Sequence, residues 1–126
     1  MIYKAIYKAG GRDFPLLDCY GLVKYLYKKN LGVDIIDFDY KDPDNPENEK
    51  FFVESMNNPQ WVKCKPKNGA VVGFKVNGYI AHCGYMINEK EFLHIMKNSG
   101  VALGNIKSDK WKNRVVGFYS FGVLND

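Results

Sequence analysis

Two histidines and three cysteines are all that this 126-residue chain offers for imidazole or thiol chemistry. The cysteines, Cys19, Cys64 and Cys83, are odd in number and show no C-x-x-C spacing. That argues against a disulfide framework and predicts at least one thiol outside any bridge. His82 and His94 form no H-x-x-x-H clip, and Cys83 follows His82 directly. Adjacent strand residues point to opposite faces, so a structural zinc site is not expected, nor is any other metal or cofactor. Long apolar runs are missing too. The start, MIYKAIYKAGG, has none, so neither a signal peptide nor a membrane insertion is expected. No Lys/Arg run interleaves with aromatics in the way a nucleic-acid partner demands. Internal repeats and low-complexity segments are absent, and the net charge of +4 is mild. It serves solubility and at most assists approach to an anionic surface.

What is present is an ordinary globular composition, 46% apolar and 25% charged, with nine Tyr and eight Phe. The length suits one domain, 1–126, with a single core. Asp18 is a good N-cap, and Leu22, Val23, Leu26 and Tyr27 then share one face of a helix running to about Lys29, stopped by Asn30 and Gly32. The acidic segment DFDYKDPDNPENEK, with Pro43 and Pro46, reads as an exposed loop. A second helix is expected over about Glu47 to Asn57. Strand patterns follow at 69–76, 79–87, 91–97, 100–104 and 115–121, separated by turn signals, of which Asn77-Gly78 is the strongest. A helical turn is expected around Ser108 to Asn113. Helices followed by runs of antiparallel strand make an α+β fold.

The chemistry gathers at three of these positions. Cys19 falls in the first turn of a helix, where unpaired N–H groups and the helix dipole favour a thiolate and can hold an oxyanion. A buried thiol that merely fills space is the competing reading. A thiol nucleophile needs a base, usually His, and the base needs a polar group to orient it. His82 and His94 lie on strands one tight hairpin apart, which can set their rings side by side on one face. In that reading Ile80, His82, Gly84 and Met86 share a face. Cys64 and Cys83 are read as packing residues.

The blocks YKAGGRDFPLLDCYGLVKYLY, NGAVVGF, AHCGYMI and EFLHIMKNSGV, in this order, resemble the NlpC/P60 cysteine peptidases and most of all their phage tail-assembly relatives. The likeness runs from Tyr7 to His94 and continues through GVALGNIKSDKWKNRVVGFYSF, covering nearly the whole chain. It implies a papain-like α+β fold with the Cys19 helix packed on an antiparallel sheet. It implies Cys19 as nucleophile, His82 as general base and His94 as the third polar member, with Tyr7 beside the cysteine helping to bind the oxyanion. Asp18, Tyr20 and Gly21 would border the substrate. The implied reaction is hydrolysis of an amide in peptidoglycan stem peptides, commonly between D-glutamate and a diamino acid.

The sequence departs from the family pattern at Tyr20, where a Ser is usual, and at Ala70, where an Asp is usual. A phage or prophage tail component is the implied setting, with cytoplasmic synthesis and later delivery in a virion or to the cell wall. Its partners would be the stem peptide and other tail proteins. Two other classes fit the same residues: a non-catalytic tail-tip module of this fold, and a papain-like amidase or acyltransferase acting on another amide or ester.

Overall fold

The computed structural model describes residues 2–37 and 46–122. A 3-10 turn (Ile2–Lys4) leads into three two-residue strands, β1 (Ile6–Tyr7), β2 (Arg12–Asp13) and β3 (Leu16–Leu17). Two helices follow, α1 (Cys19–Leu31) and α2 (Asn48–Met56). Six strands complete the described residues: β4 (Trp61–Lys63), β5 (Val71–Val76), β6 (Tyr79–Met86), β7 (Glu91–Met96), β8 (Gly100–Asn105) and β9 (Val115–Phe121). These six form one antiparallel sheet in the order β4-β9-β5-β6-β7-β8, and the first three form a small sheet in the order β1-β3-β2. The fold is α+β, as expected.

Helix α1 begins where the capping chemistry puts it. Asp18 is extended, and its carboxylate accepts from the Gly21 N–H at 2.7 Å. The helix runs two residues past the expected end, because Asn30 is tolerated and Gly32 makes the stop. Gly32 takes the left-handed conformation (φ 68°), which lets its N–H close on the Lys28 carbonyl at 3.0 Å. Leu22, Val23, Leu26 and Tyr27 are all buried against the sheet. Each contributes roughly 1.5–3 kcal/mol of burial. Tyr27 also donates its hydroxyl to the Gly69 carbonyl at 2.5 Å, tying the helix to the entry of β5.

The five expected strands stand within about two residues of their expected limits. At the β5–β6 turn Asn77 (φ 53°) and Gly78 (φ 85°) are both left-handed, as a tight two-residue hairpin requires. Asn88 closes the next turn by accepting from the Lys90 and Glu91 N–H groups, both at 2.8 Å. Around Ser108 to Asn113 there is a succession of turns with one helical bond, Lys112 N–H to the Ser108 carbonyl at 2.9 Å. The short strands β1 to β4 carry too few residues for a periodic pattern and were not foreseen. The acidic loop falls largely on residues 38–45, outside the described residues.

One face assignment is corrected. Ile80 packs with the α1 side of the sheet and not with His82 and Met86. The β5–β6 register slips between Phe74, opposite His82, and Lys75, opposite Ile80. Ala81 is the extra residue, and this bulge breaks the strict alternation. The sheet thus separates two clusters. Cys19, Leu22, Val23, Phe52, Ile80, Cys83, Tyr85, Leu93 and Ile95 lie on the helix side. Val72, Phe74, Met86, Phe92, Ile106 and Trp111 lie on the other, partly covered by the 106–114 turns. No helix among the described residues is long and apolar enough to cross a membrane.

Candidate active site

Asp18 organises the approach to Cys19. The side chain is completely buried and receives three donors: Gly10 N–H at 2.9 Å, the Arg12 guanidinium at 2.7 Å and Gly21 N–H at 2.7 Å. Burial raises the Asp18 pKa, as does the neighbouring Cys19, while the hydrogen bonds from Arg12 and Gly21 pull it down. Burial also works against the Arg12 charge, but its bonds to Asp18 and Asp37 outweigh that and hold its pKa above the ordinary value. The two directions disagree on how comfortable the pair is. The geometry decides for ionised partners, since every neighbour of the carboxylate donates and a carboxylic acid proton would face only donors.

Glycines let the backbone come this close. A Cβ on Gly21 would overlap the Gly11 carbonyl oxygen, and one on Gly11 would overlap the Leu16 carbonyl. Gly21 therefore sits where helix and N-terminal strand touch, and Asp18 sits beneath them. Tyr20 is 3% exposed and gives its hydroxyl to the Ile36 carbonyl. Burial is the main cause that raises its pKa. The three residues expected to border the substrate are thus placed inside the supporting structure. Tyr7, on β1, pairs in register with Leu17, two residues before Cys19. It lines a groove of about 490 Å³ between the N-terminal strand and the β7–β8 turn.

The two imidazoles meet as expected. His82 Nε2 and His94 Nδ1 are 2.9 Å apart, and both rings are buried. The β6–β7 ladder joins Tyr85 to Leu93 and Met86 to Phe92, near the turn. The histidines lie beyond it, diagonal to one another, on the face away from α1. The rings are 5.1 Å apart between centroids and inclined at 73°. Burial, the neighbouring His82 and then Lys110 lower the His94 pKa to about 3, so this ring is neutral at physiological pH.

Cys19 is 2% exposed, and its thiol is hydrogen-bonded to Cys83. Burial first, then that bond and the Cys19 charge, push the Cys83 thiol well above its usual range. Cys83 and His82 are consecutive on β6, so the Cys19 thiol touches the strand one residue from the imidazole, on the helix side. Sequence reading took Cys83 for packing and missed this contact. It also missed Arg12, whose signal was Asp18 itself, a carboxylate beside a helix core that needed a cation. Trp111 was missed as well, although a lone tryptophan in the polar run SDKWKNR signals burial. Among the described residues no group of three His, Cys, Asp or Glu side chains could hold a metal ion.

The model of the NlpC/P60 family matches residues 4–120. The chain belongs to the NlpC/P60 family. Among curated proteins it is similar to the murein DD-endopeptidase MepS/murein LD-carboxypeptidase of Escherichia coli K12, at 22% identity over 108 residues. That match covers 86% of this chain and 51% of the relative, so the chain spans about half the length of the curated relatives it matches. Solved structures share the fold, among them these three. The NlpC2 protein of Trichomonas vaginalis gives a TM-score of 0.67 at 16% identity, covering 95% of this chain and 42% of that one. An NLP/P60-family lipoprotein-like protein of Staphylococcus aureus gives 0.63 at 17%, covering 94% and 37%. The NlpC/P60 domain of the peptidoglycan hydrolase SagA gives 0.58 at 19%, covering 94% and 87%.

Proposed function

We propose that this NlpC/P60 chain is a thiol peptidase that hydrolyses an amide bond in peptidoglycan stem peptides, of the D-glutamate–diamino acid type. The observation that carries the reading is the 2.9 Å bond from His82 Nε2 to His94 Nδ1. A neutral His94 accepts the Nε2 proton of His82, which leaves the Nδ1 lone pair of His82 as the base. Cys19 supplies the nucleophile from the first turn of α1. Cys19 lies against Cys83 on the α1 side of the sheet and the imidazole pair packs on the other face, so the reaction requires the thiol and His82 to be brought together. Nδ1 then takes the thiol proton and the thiolate adds to the scissile carbonyl. The C–N bond breaks as the imidazolium returns the proton to the leaving amine. Water, deprotonated by His82, then cleaves the thioester and restores the thiol. Asp18 and Arg12 act by placing the helix end. The relatives named for murein or peptidoglycan hydrolysis support the substrate class, and a phage or prophage tail component is the proposed setting.

The test is digestion of purified peptidoglycan with mass analysis of the products, for the natural chain, Cys19→Ala and His82→Ala. Release of stem-peptide fragments that disappears in both variants is expected. Fragment release that survives both substitutions overturns the mechanism. A second reading, a non-catalytic module of the same fold, is favoured by one observation: the Cys19 thiol is almost fully buried and engaged by Cys83. A natural chain that releases no fragments decides for it.

A further inference from the structure

The imidazole pair is held in a cage of aromatic rings, and one member of the cage differs from the others. Phe74 meets His82, with centroids 5.8 Å apart and an interplanar angle of 30°. Phe92 meets His94, at 4.9 Å and 54°. Trp111 meets both. Its ring lies nearly parallel to His82, at 5.8 Å and 22°, and stands edge-on to His94, at 5.1 Å and 86°. It also packs on Phe74 at 4.6 Å and on Phe92 at 5.6 Å. Trp111 is 3% exposed although its chain neighbours are polar.

The tryptophan is fixed from both ends. Its turn is anchored by Ile106 N–H on the Lys90 carbonyl at 2.8 Å and by Lys75 N–H on the Arg114 carbonyl at 2.9 Å. Trp111 N–H itself bonds the Ser108 carbonyl at 3.1 Å. Over its ring lie two cations, Lys110 Nζ at 5.3 Å and the Arg114 guanidinium at 5.7 Å from the centroid. The titratable and charged groups facing His94 are therefore the His82 imidazole from β6 and the Lys110 ammonium from the turn, with the Arg114 guanidinium above the same indole.

We infer that Trp111 is the positioning residue of the imidazole pair: by touching both rings it fixes their mutual angle, and so the tautomer in which His82 Nε2 is bonded to His94. The need for such a residue is geometric. Beyond Tyr85–Leu93 the β6–β7 ladder no longer sets the spacing of the two side chains. An imidazole that turns over about its χ2 bond puts a ring carbon where its bonding nitrogen was and loses the hydrogen bond that selects its tautomer, and a flat ring packed on its face opposes that turn. The role rests on the peptidase reading for its catalytic meaning, but the ring geometry stands without it.

The chain has two histidines, so their ¹⁵N imidazole spectrum resolves both rings. The experiment compares ¹H–¹⁵N long-range spectra over a pH titration for the natural chain, Trp111→Leu and Trp111→Phe, with thermal unfolding and peptidoglycan digestion alongside. In the natural chain each ring should show the shifts of one fixed tautomer. In Trp111→Leu those shifts should move to tautomer-averaged values and the His94 titration should move upward. Trp111→Phe, which keeps a flat ring, should restore most of the natural pattern, and kcat should fall at least tenfold in the Leu variant with KM changed less than twofold. Natural tautomer shifts and titration in both folded variants overturn the inference. Should Trp111→Leu not fold, Trp111→Met, which fills space without a flat ring, takes its place: averaged shifts support the inference, and natural shifts overturn it. A natural chain inactive on peptidoglycan refutes the peptidase reading, while the spectra still decide for or against Trp111.

Discussion

His82 Nε2 and His94 Nδ1 face one another at 2.9 Å across the end of the β6–β7 hairpin that its ladder leaves open. The bond makes His94 an acceptor that holds the base, and acceptors of other kinds can be tried in its place. His94→Ala should lower kcat for stem-peptide hydrolysis by about a hundredfold or more. His94→Asn, which keeps an acceptor, should recover part of that loss. Steady-state kinetics on a defined stem peptide checks both.

The same residue makes stability depend on pH. An unfolded histidine has a pKa of 6.5, and in the folded chain burial, then His82 and Lys110, lower His94 to about 3. Below pH 6.5 the unfolded chain binds the proton first, so the stability carried by His94 is complete above that pH and is lost as pH falls toward 3. The expected slope is about 1.4 kcal/mol per pH unit. Asp18, whose pKa is raised, acts with the opposite sign at the acid end. Urea unfolding of the natural chain and of His94→Gln from pH 7.5 to 4.5 isolates the histidine part, and the Gln variant should show the shallower curve.

Removing Arg12 leaves the Asp18 carboxylate buried with two backbone donors and no cationic partner among the described residues. Arg12→Ala should destabilise the fold by about 3–5 kcal/mol. The double variant Arg12→Ala/Asp18→Ala should cost less than the sum of its singles, because no uncompensated charge remains. A double-mutant cycle in urea measures the coupling.

Two glycines should respond in opposite ways. Gly21→Ala forces a methyl group onto the Gly11 carbonyl and should destabilise by about 1–3 kcal/mol. At Gly73 an added Cβ meets nothing within 4 Å, beside a small apolar cavity lined by Tyr20, Phe52 and Cys83. Gly73→Ala should be neutral or stabilise by up to about 1 kcal/mol. Thermal unfolding of the two variants under one buffer is sufficient.

How much was legible in the sequence follows from where the information is local. Helix α1 could be read because a cap residue, an apolar stripe and a terminal glycine all lie within fifteen positions. The hairpins could be read from Asn77-Gly78 and Asn88, and with them the meeting of His82 and His94. The slip at Ala81 could not, because a bulge is set by how two strands accommodate each other and leaves no period in either. Cys83 against Cys19 depends on where the helix comes down on the sheet. Trp111 against the histidines depends on a turn that returns more than fifteen residues later. Arg12 was hidden for a related reason: its partner is known only when the carboxylate is seen to be buried.

The Asp18 carboxylate binds amides from two different stretches of chain, Gly10 before it and Gly21 after it, and a guanidinium from the strand between. The start of the Cys19 helix is therefore not a separable part. Residues 10–21 form a clasp with one pin, and a graft of this helix onto another scaffold must carry the whole clasp with it.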